Sequence, residues 1–381
     1  MKVMELKVGT KNLHITERAE PGIDSPDDVK LRVLRVGICG TDREEASGGR
    51  AKPPEGSESL VIGHEMLGQV VAAGDAVERV RPGDYAVFTV RRGCGDCLPC
   101  EMERPDMCST GNYRERGIWG LDGYHAEFVV DKESYIVKVP AEIGLHGVLC
   151  EPLSVVEKAL DEALKIQVSR LPDAPSTPDW LFGKKCMVVG LGPIGLLGAI
   201  VLRLRGAEVY GLDIVSPDSL RPGWLGSIGG NYIDGNKIAP DQVDIKVGEM
   251  HMIVEAAGVA SLDFNLMDAL APDGIMVLTG IPGDKRPFQF QGGEIATAMV
   301  LNNLALVGSV NASRDHFQLA VDDLEQAIRR WGLSTISSLI THSYTAEQAI
   351  DRLGKHPSDT IKEVVEWNTP EDAVNSGERD K

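Results

Sequence analysis

Hydrophobic positions in the first 150 residues alternate with polar ones in short runs, which is the periodicity of β-strands with one buried face. This pattern is clearest at residues 29–38 (VKLRVLRVGI), and it recurs at 67–74, 84–90, 126–130 and 135–140. Gly, Pro and Asp residues separate the runs and indicate turns. The pattern therefore predicts a compact β-rich domain over residues 1–155.

The pattern changes near residue 150, where the apolar residues take helical spacing. Residues 151–165 (EPLSVVEKALDEALK) predict a helix, and the Pro-, Ser- and Asp-containing residues 167–185 predict a loop. Buried apolar strands then alternate with a helix at 194–206, and these strands are predicted at 186–190, 207–213, 251–258, 274–280 and 304–310. Such alternation predicts a parallel α/β domain over residues 156–310.

The residues after 310 are predicted to return to the first domain. Residues 315–331 (DHFQLAVDDLEQAIRRW) have helical spacing, and the segment that ends at Trp367 is expected to complete the β-rich domain. Residues 368–381 are polar and predict a tail. Residues 311–381 are therefore assigned to a returning segment and a C-terminal tail, and the fold class is α/β with two domains.

Composition and charge narrow the classes of partner. The 381 residues carry a formal charge of -18, so their average field would repel nucleic acid and anionic membrane surfaces. The longest apolar run, 186–202, is broken by Gly190, Gly192, Pro193 and Gly195, which favours strand, turn and helix over a membrane span. The first ten residues lack the apolar stretch of a signal peptide, and we predict a cytoplasmic location.

Four of the seven cysteines are crowded into residues 93–108, GCGDCLPCEMERPDMC. Their spacing, C-x2-C-x2-C-x7-C, lets one loop surround a tetrahedral ion with four thiolates and leaves no coordination position open. The spacing therefore predicts a structural zinc held by Cys94, Cys97, Cys100 and Cys108. An iron-sulfur cluster and unligated thiols are the alternatives, and a reducing compartment argues against disulfides.

A second candidate metal site draws on residues that are far apart along the chain. Cys39 lies in VGICGTD and His64 lies beside Glu65 in VIGHEMLG. A catalytic zinc takes about three N, S or O ligands and keeps one exchangeable position, so these residues and a carboxylate could hold one. The alternative for Cys39 and His64 is a packing role.

The carboxylate of this second site can come from two places. Glu65 is the neighbour of His64, whereas Glu151 is the distant carboxylate that we favour. Cys150 could replace Glu151 as a ligand. Since adjacent residues on an extended segment face opposite ways, only one of these two is expected to face the ion.

A glycine-rich turn indicates a dinucleotide site. Gly190, Gly192 and Gly195 form G-x-G-x-x-G between a predicted strand and a predicted helix, and Asp213 ends the next strand. The glycines admit a pyrophosphate at the helix N-terminus, and the aspartate would bind the ribose hydroxyls. NAD is therefore favoured, and Arg221 keeps NADP open. A domain of this fold that binds no nucleotide is the alternative.

Together these motifs resemble the zinc-containing medium-chain alcohol dehydrogenases. The general resemblance lies in GICGTD, GHE, the four-cysteine loop and GLGPIG. A closer resemblance, to glucose dehydrogenases of the archaeal type, lies in TVRRGCGDC, NYRERGIWGLDGYHAEFVV, EPLSVVEKAL and LALVGSVNAS. It implies a GroES-like catalytic domain, a Rossmann domain with a doubly wound parallel sheet, and an active site between them. It also implies one catalytic and one structural Zn²⁺ per chain and a homodimer or homotetramer.

The resemblance also implies roles for particular residues. The catalytic zinc matches Cys39 and His64 with Glu65 or Glu151, and Thr41 matches the hydroxyl that starts a proton relay. Glu115 and Asn311 match positions that bind sugar hydroxyls, beside Thr41 and Glu151. The cofactor positions are Gly190, Gly192, Pro193, Ile194, Gly195, Asp213, Thr279, Gly280, Ile281, Ser309, Val310 and Asn311.

Two positions depart from the family pattern. Thr89 and Val90 stand where some relatives place a sugar-binding asparagine. Ile214 and Val215 follow Asp213, where NADP-preferring members carry arginines. These departures make the sugar and the cofactor the least constrained features of the prediction.

The predicted activity is zinc-dependent oxidation of an aldopyranose at C1 to the lactone, with hydride transfer to NAD(P)⁺. D-Glucose is the expected sugar, with D-galactose or D-xylose as further substrates. One alternative is a zinc dehydrogenase of polyols, threonine or secondary alcohols, because fold analogy does not choose a substrate. Another is a noncatalytic nucleotide-binding protein.

Overall fold

A computed structural model describes residues 1–172, 174, 179–283, 287–355 and 360–370. Their contacts separate two units. The first comprises the described parts of Met1–Glu151, Asn311–Glu325 and Ile340–Lys381, and the second comprises those of Pro152–Val310 and Gln326–Leu339. The domain limits drawn from the sequence stay predictions, and the contacts place residues 326–339 with the second unit.

The first 150 residues form mainly β-strands with short helices. In chain order the elements are β1 (Lys2–Lys7), β2 (Leu13–Glu17), β3 (Asp28–Ile38), α1 (Gly40–Ala46), β4 (Ser59–Val61), β5 (Glu65–Ala73), β6 (Tyr85–Phe88), β7 (Arg91–Arg92), α2 (Leu98–Glu101), β8 (Arg114–Arg116), β9 (Gly120–Leu121), β10 (Phe128–Lys132) and β11 (Ile136–Val139). The predicted strands at 29–38, 67–74, 84–90, 126–130 and 135–140 are confirmed as β3, β5, β6, β10 and β11.

The second unit alternates strands and helices. Its elements are α3 (Cys150–Arg170, from Pro152 onward), β12 (Lys185–Val189), α4 (Pro193–Leu204), β13 (Glu208–Asp213), α5 (Leu220–Ser227), β14 (Asn231–Asp234), α6 (Val243–Val247), β15 (Met250–Glu255), α7 (Ala260–Asn265), β16 (Leu270–Leu278), α8 (Gly292–Leu301) and β17 (Ala305–Gly308). Among the described residues six strands form one sheet in the order β14-β13-β12-β15-β16-β17, and every pairing is parallel. The predicted parallel α/β domain is confirmed.

The chain after residue 310 rejoins the first sheet. Its elements are α9 (Arg314–Trp331), α10 (Leu333–Ser337), β18 (Ile340–Thr345), α11 (Ala346–Leu353) and β19 (Lys362–Glu366). β19 pairs antiparallel with β3, and Glu363 lies opposite Ile38. In the described part of the chain seven strands share this sheet, with the path β11-β6-β5-β3-β19-β18 and β10 beside β3.

Each unit has a hydrophobic core that its strand pattern explains. Inward-facing residues of β3, β5 and β6 form the core of the first unit, and Leu31, Val33 and Phe88 are buried there. The parallel strands of the second unit are apolar on both faces, as β12 shows with the consecutive residues Met187, Val188 and Val189 all buried. No helix within the described residues is long and apolar enough to cross a bilayer.

Two expectations about non-regular segments were wrong in part. α3 continues to Arg170, so the first four residues of the predicted loop at 167–185 are helical. Their side chains explain the extension, since Gln167 and Arg170 both donate hydrogen bonds to the carbonyl of Asp273. Residues 173 and 175–178 of that loop lie outside the described residues.

The predicted tail at 368–381 begins with an anchored residue. Asn368 donates through Nδ2 to the carbonyls of Val33, at 2.8 Å, and Glu127, at 3.1 Å. The remainder of the predicted tail from residue 371 lies outside the described residues. Asn368 therefore belongs to the β-rich unit.

Candidate metal centres and cofactor site

Cys39, His64 and Glu65 lie together in the first unit. Their ligand atoms are all within 4.8 Å of one another, and Cys39 Sγ is 3.2 Å from His64 Nε2. Cys39 follows β3 and caps α1, while Glu65 opens β5 and lies opposite Gly37 in the β3–β5 ladder. Sheet pairing thus joins residues that are far apart along the chain.

Glycines make room for this group. A Cβ atom at Gly37 would overlap Glu65 Oε2, so only glycine leaves space for that carboxylate. Gly63 has a φ of 91°, and a Cβ there would lie 2.5 Å from the His125 ring. Gly37 of VGICG therefore allows close packing of Glu65, and Gly63 of VIGHE allows close packing of His125.

The charges around the group explain its protonation behaviour. Burial raises the pKa of the Cys39 thiol. Burial opposes protonation of His64, but the negative charges of Cys39 and Asp42 outweigh it and hold the pKa of His64 well above its usual range. A thiol, an imidazole and a carboxylate are donors that zinc accepts, and their ligand atoms lie close enough to one another to share one ion. The group therefore fits a zinc ion.

Asp42 lies next to both Cys39 and His64, and the sequence did not single it out. Its Oδ2 accepts a hydrogen bond from the Cys39 backbone N–H at 2.8 Å, and its Oδ1 is 3.7 Å from His64 Nδ1. A carboxylate beside the second imidazole nitrogen orients a metal-binding histidine. The available signal was the C-x-x-D spacing, which is also that of a helix capping box.

Lys362 is a second neighbour that the sequence analysis missed. It opens β19, is fully buried, and forms an ion pair with Glu65. Its Nζ also donates to the carbonyl of Ile38 at 3.0 Å. Only the pairing of β19 with β3 brings it here, so no local pattern could have indicated it.

Glu151 and Cys150 lie at the start of α3. Glu151 is outside the group whose ligand atoms are within 4.8 Å, so Glu65 is the carboxylate that completes it. Burial raises the pKa of Glu151 to about 7, against the positive charge of His64. Cys150 and Glu151 begin a helix, so the expectation that they lie on an extended segment and face opposite ways was wrong. Burial also raises the pKa of Cys150, which belongs to no described metal-ligand group.

The four clustered cysteines form one compact group. The Sγ atoms of Cys94, Cys97, Cys100 and Cys108 all lie within 4.8 Å of one another. Hydrogen bonds from the backbone of Cys100 and Ser109 lower the pKa of Cys97 to about 6, which favours a thiolate. A side chain at Gly93 would overlap Cys100 Sγ. The donors fit a closed tetrahedral zinc site.

The glycine-rich turn joins β12 to α4. Gly190 has a φ of 84°, and a Cβ at Gly195 would overlap the Gly190 carbonyl, so the turn requires glycine at both positions. Gly192 caps α4, and Pro193, Ile194 and Gly195 form its first turn. The turn thus presents the free N–H groups of a helix N-terminus, which attract a phosphate.

A cleft of about 390 Å³ opens beside this turn. Asp213 ends β13 there, and its Oδ2 accepts a 2.6 Å hydrogen bond from the Leu191 N–H of the turn. Its Oδ1 accepts from Ile214 at 2.7 Å. Arg221 lines the same cleft. The negative and the positive side chain that bear on cofactor choice are therefore both present.

The other predicted cofactor residues follow neighbouring strands of the same sheet. Thr279, Gly280 and Ile281 come after β16, and Ser309 and Val310 come after β17. Ser309 N–H donates to the Leu278 carbonyl at 2.9 Å, which joins the two segments. Since the strands are parallel, these segments share an edge with the glycine-rich turn. Ile281 and Val310 are more than half exposed.

Three further predicted residues lie in the first unit. Thr41 is in the first turn of α1, and its backbone N–H donates to Cys39 Sγ at 3.2 Å. Asn311 Nδ2 donates to Glu115 Oε1 at 2.8 Å, so the structure brings these two residues together. Thr89, at the first departure from the family pattern, accepts a hydrogen bond from Arg92 and is buried with Val90.

Comparison with known proteins finds two protein families that match successive parts of this chain. The family described as "Glucose dehydrogenase C-terminus" matches residues 144–367, and the "Alcohol dehydrogenase GroES-like domain" matches residues 25–141. Glucose 1-dehydrogenase 1 of Caldivirga maquilingensis is 40% identical over 342 residues, which cover 89% of this chain and 91% of that protein. The chain belongs to the glucose dehydrogenase family. Glucose 1-dehydrogenase 2 of Vulcanisaeta moutnovskia is 39% identical over 83% of this chain and 85% of its own length.

A solved glucose dehydrogenase has the same fold. The enzyme of Haloferax mediterranei, whose structure is described as a complex with NADP, Zn and gluconolactone, superposes with a TM-score of 0.86. It is 32% identical and covers 97% of this chain and 100% of its own. The resemblance to zinc-containing dehydrogenases and the GroES-like plus Rossmann fold class are therefore confirmed.

Proposed function

We propose that the protein is an NAD(P)-dependent zinc dehydrogenase that oxidises D-glucose at C1 to the lactone. The observation that carries the proposal is the Cys39, His64 and Glu65 donor group in a chain of the glucose dehydrogenase family that also has a dinucleotide turn. The relatives' names and the NADP, Zn and gluconolactone of the Haloferax complex support it. The reaction converts an aldopyranose and NAD(P)⁺ into a lactone, NAD(P)H and a proton.

Zinc held by Cys39, His64 and Glu65 would supply Lewis acidity that lowers the pKa of the sugar's anomeric hydroxyl, and the nicotinamide would accept the hydride. Asp42 Oδ1, 3.7 Å from His64 Nδ1, places a negative charge beside the ring and so favours its orientation. Thr41 Oγ accepts the hydroxyl proton and passes it toward the cofactor ribose or water. Glu115 and Asn311 bind ring hydroxyls, which penalises simple alcohols because buried polar groups would then lack partners.

The four-cysteine group has a different role in this proposal. Cys94, Cys97, Cys100 and Cys108 hold a structural zinc, which offers no open position for a substrate. Gly190, Gly192 and Gly195 admit the pyrophosphate, and the segments after β16 and β17 line the nicotinamide. The homodimer or homotetramer and the cytoplasmic location stay predictions.

A substrate comparison tests the activity. We expect metal-replete protein to reduce NAD⁺ or NADP⁺ with D-glucose, measured by absorbance of the reduced nicotinamide, and to act more slowly on sorbitol, threonine and butanediol. D-Galactose and D-xylose complete the panel. Rapid polyol oxidation without turnover of any aldose would assign the protein to another zinc dehydrogenase. Cofactor binding without turnover of any sugar or alcohol, together with one zinc per chain, would indicate a noncatalytic protein.

The cofactor preference is expected to depend on Asp213. Asp213→Ala removes the negative charge that repels a 2′-phosphate, while Arg221 remains in the same cleft. The ratio of kcat/KM for NAD⁺ to that for NADP⁺ should fall about tenfold, as about 1.4 kcal/mol of repulsion is lost. Asp218→Ala, which removes an exposed carboxylate from the following loop, is the control. An unchanged ratio would mean that another group selects the cofactor.

A further inference from the structure

Arg91 and Glu115 are paired by the register of two short strands. β7 and β8 run antiparallel, and Arg91 lies directly opposite Glu115. Directly opposite residues of an antiparallel pair share one face of the sheet, so their side chains meet. Arg91 Nε and Nη2 donate to Glu115 Oε1 at 3.1 and 2.9 Å. Both residues are buried, with 7% of each exposed.

Asn311 directs a third donor to the same oxygen. Its Nδ2 lies 2.8 Å from Glu115 Oε1. Asn311 has a φ of 62°, a left-handed conformation that asparagine tolerates, and its own Oδ1 accepts from the Ala312 N–H. Among the described residues no donor reaches Glu115 Oε2. One carboxylate oxygen is therefore fixed by the protein, and the other is left for a ligand hydroxyl.

Arg91 is itself held by the four-cysteine loop. Its Nη1 donates to the Asp106 carbonyl at 2.9 Å, and Asp106 lies between Cys100 and Cys108 in the chain. The guanidinium carbon is 3.9 Å from the centre of the Tyr113 ring. These contacts leave the guanidinium plane little freedom to rotate. Because Arg91 is fixed and donates two hydrogen bonds to Glu115, it also fixes the orientation of the Glu115 carboxylate.

Arginine suits this task better than lysine. A buried carboxylate without a counter-charge is strongly disfavoured, and a lysine ammonium would supply the charge. Only the planar guanidinium can donate to Glu115 with one edge and to the Asp106 carbonyl with another while stacking on Tyr113. Arg91 thus fixes the direction of the Glu115 carboxylate and also compensates its charge.

We propose that Arg91 is a positioning residue for sugar recognition, which holds Glu115 so that Oε2 faces a ring hydroxyl. The inference rests on the proposed function in taking Glu115 as a sugar-binding residue. Arg91 does not touch the sugar. It contributes to affinity and to discrimination among sugars through Glu115 alone.

The test compares glucose with deoxyglucoses that each lack one ring hydroxyl. The variants are Arg91→Met, Arg91→Lys, Glu115→Gln and the double variant Arg91→Met with Glu115→Gln. Arg104→Met is the matched control, because Arg104 is an arginine of the same loop that pairs with the Asp106 side chain. Zinc content and Tm are measured for each protein. Arg91→Lys carries the test if Arg91→Met fails to fold.

We expect Arg91→Met to raise the KM for glucose about 10-fold to 100-fold, with the KM for the cofactor unchanged and a smaller effect on kcat. The deoxyglucose that lacks the hydroxyl bound by Glu115 should have a higher KM than glucose with the wild-type protein. This difference in KM should disappear in both Arg91→Met and Glu115→Gln. The double variant should be no worse than Glu115→Gln alone, because the two residues act as one unit. Arg91→Lys should lie between wild type and Arg91→Met, and Arg104→Met should retain the wild-type KM.

Three results would each overturn the inference alone. The first is an unchanged KM for glucose in both Arg91 variants of an active enzyme. The second is an Arg91→Met effect on KM that is as large in the Glu115→Gln background as in wild type. The third is an increase in KM for Arg104→Met as large as that for Arg91→Met, which would make Arg91 a general structural residue. Wild-type protein that oxidises no aldose would overturn the proposed function and this inference together.

Discussion

Replacing Cys39 with serine is expected to lower kcat for glucose about 1000-fold or more while the protein stays folded. The substitution removes a thiolate from the Cys39, His64 and Glu65 group, and the hydroxyl of serine is a much weaker zinc ligand. Loss of Lewis acidity removes several kcal/mol of transition-state stabilisation, which corresponds to at least three orders of magnitude in rate. Turnover, Tm and zinc content by mass spectrometry check the prediction.

Cys186→Ala is the control for this experiment. Cys186 is buried in β12, and burial raises the pKa of its thiol to about 12, so it is a packing residue of the second unit. The control should keep both zinc ions and most of the activity. Wild-type turnover by Cys39→Ser with only the structural zinc bound would refute the catalytic role of the site.

The second large effect is expected on stability. Cys97→Ser removes the most buried ligand of the four-cysteine group, and this loop has few buried apolar residues to hold it in place. Because binding of a structural zinc contributes directly to folding free energy, we expect the midpoint of thermal unfolding to fall by about 5–10 °C. The zinc content should fall from two ions to one, and kcat should change much less than in Cys39→Ser.

Asp96→Ala is the control for this second experiment, since Asp96 is exposed in the same loop and only its backbone N–H contacts Cys94 Sγ. Its Tm should match that of wild type. Loss of the zinc from Cys97→Ser without any change in Tm would show that the metal does not stabilise the loop. Equal loss of folding in Cys39→Ser and Cys97→Ser would contradict the division between a catalytic and a structural centre.

The features predicted correctly from the sequence are those whose structure depends only on residues close together in the chain. The alternation along β3 and the apolar run of β12 were sufficient to predict both strands. A strand buried on one face alternates apolar and polar residues, whereas a strand buried on both faces is apolar throughout. The four-cysteine group also follows from spacing alone, because one loop supplies every ligand. α8 was not predicted, since it begins with two glycines and its apolar residues do not mark a single face.

The parts of the site that sequence reasoning missed depend on strand register. Lys362 reaches Glu65 only because β19 lies beside β3, and nothing near residue 362 reports that pairing. Arg91 meets Glu115 through two strands of two and three residues, which are too short to give a periodic signal. The choice between Glu65 and Glu151 likewise depends on distances in space, which local patterns do not contain.

The position of β19 in its sheet also constrains the order in which the chain can fold during synthesis. The six parallel strands are complete once Gly308 has emerged from the ribosome, and their contacts join neighbouring segments. The antiparallel sheet lacks β19 until residues 362–366 are made, and with it the lysine that neutralises Glu65. The parallel sheet can therefore form on the nascent chain, whereas the antiparallel sheet is completed only when the last strand is made.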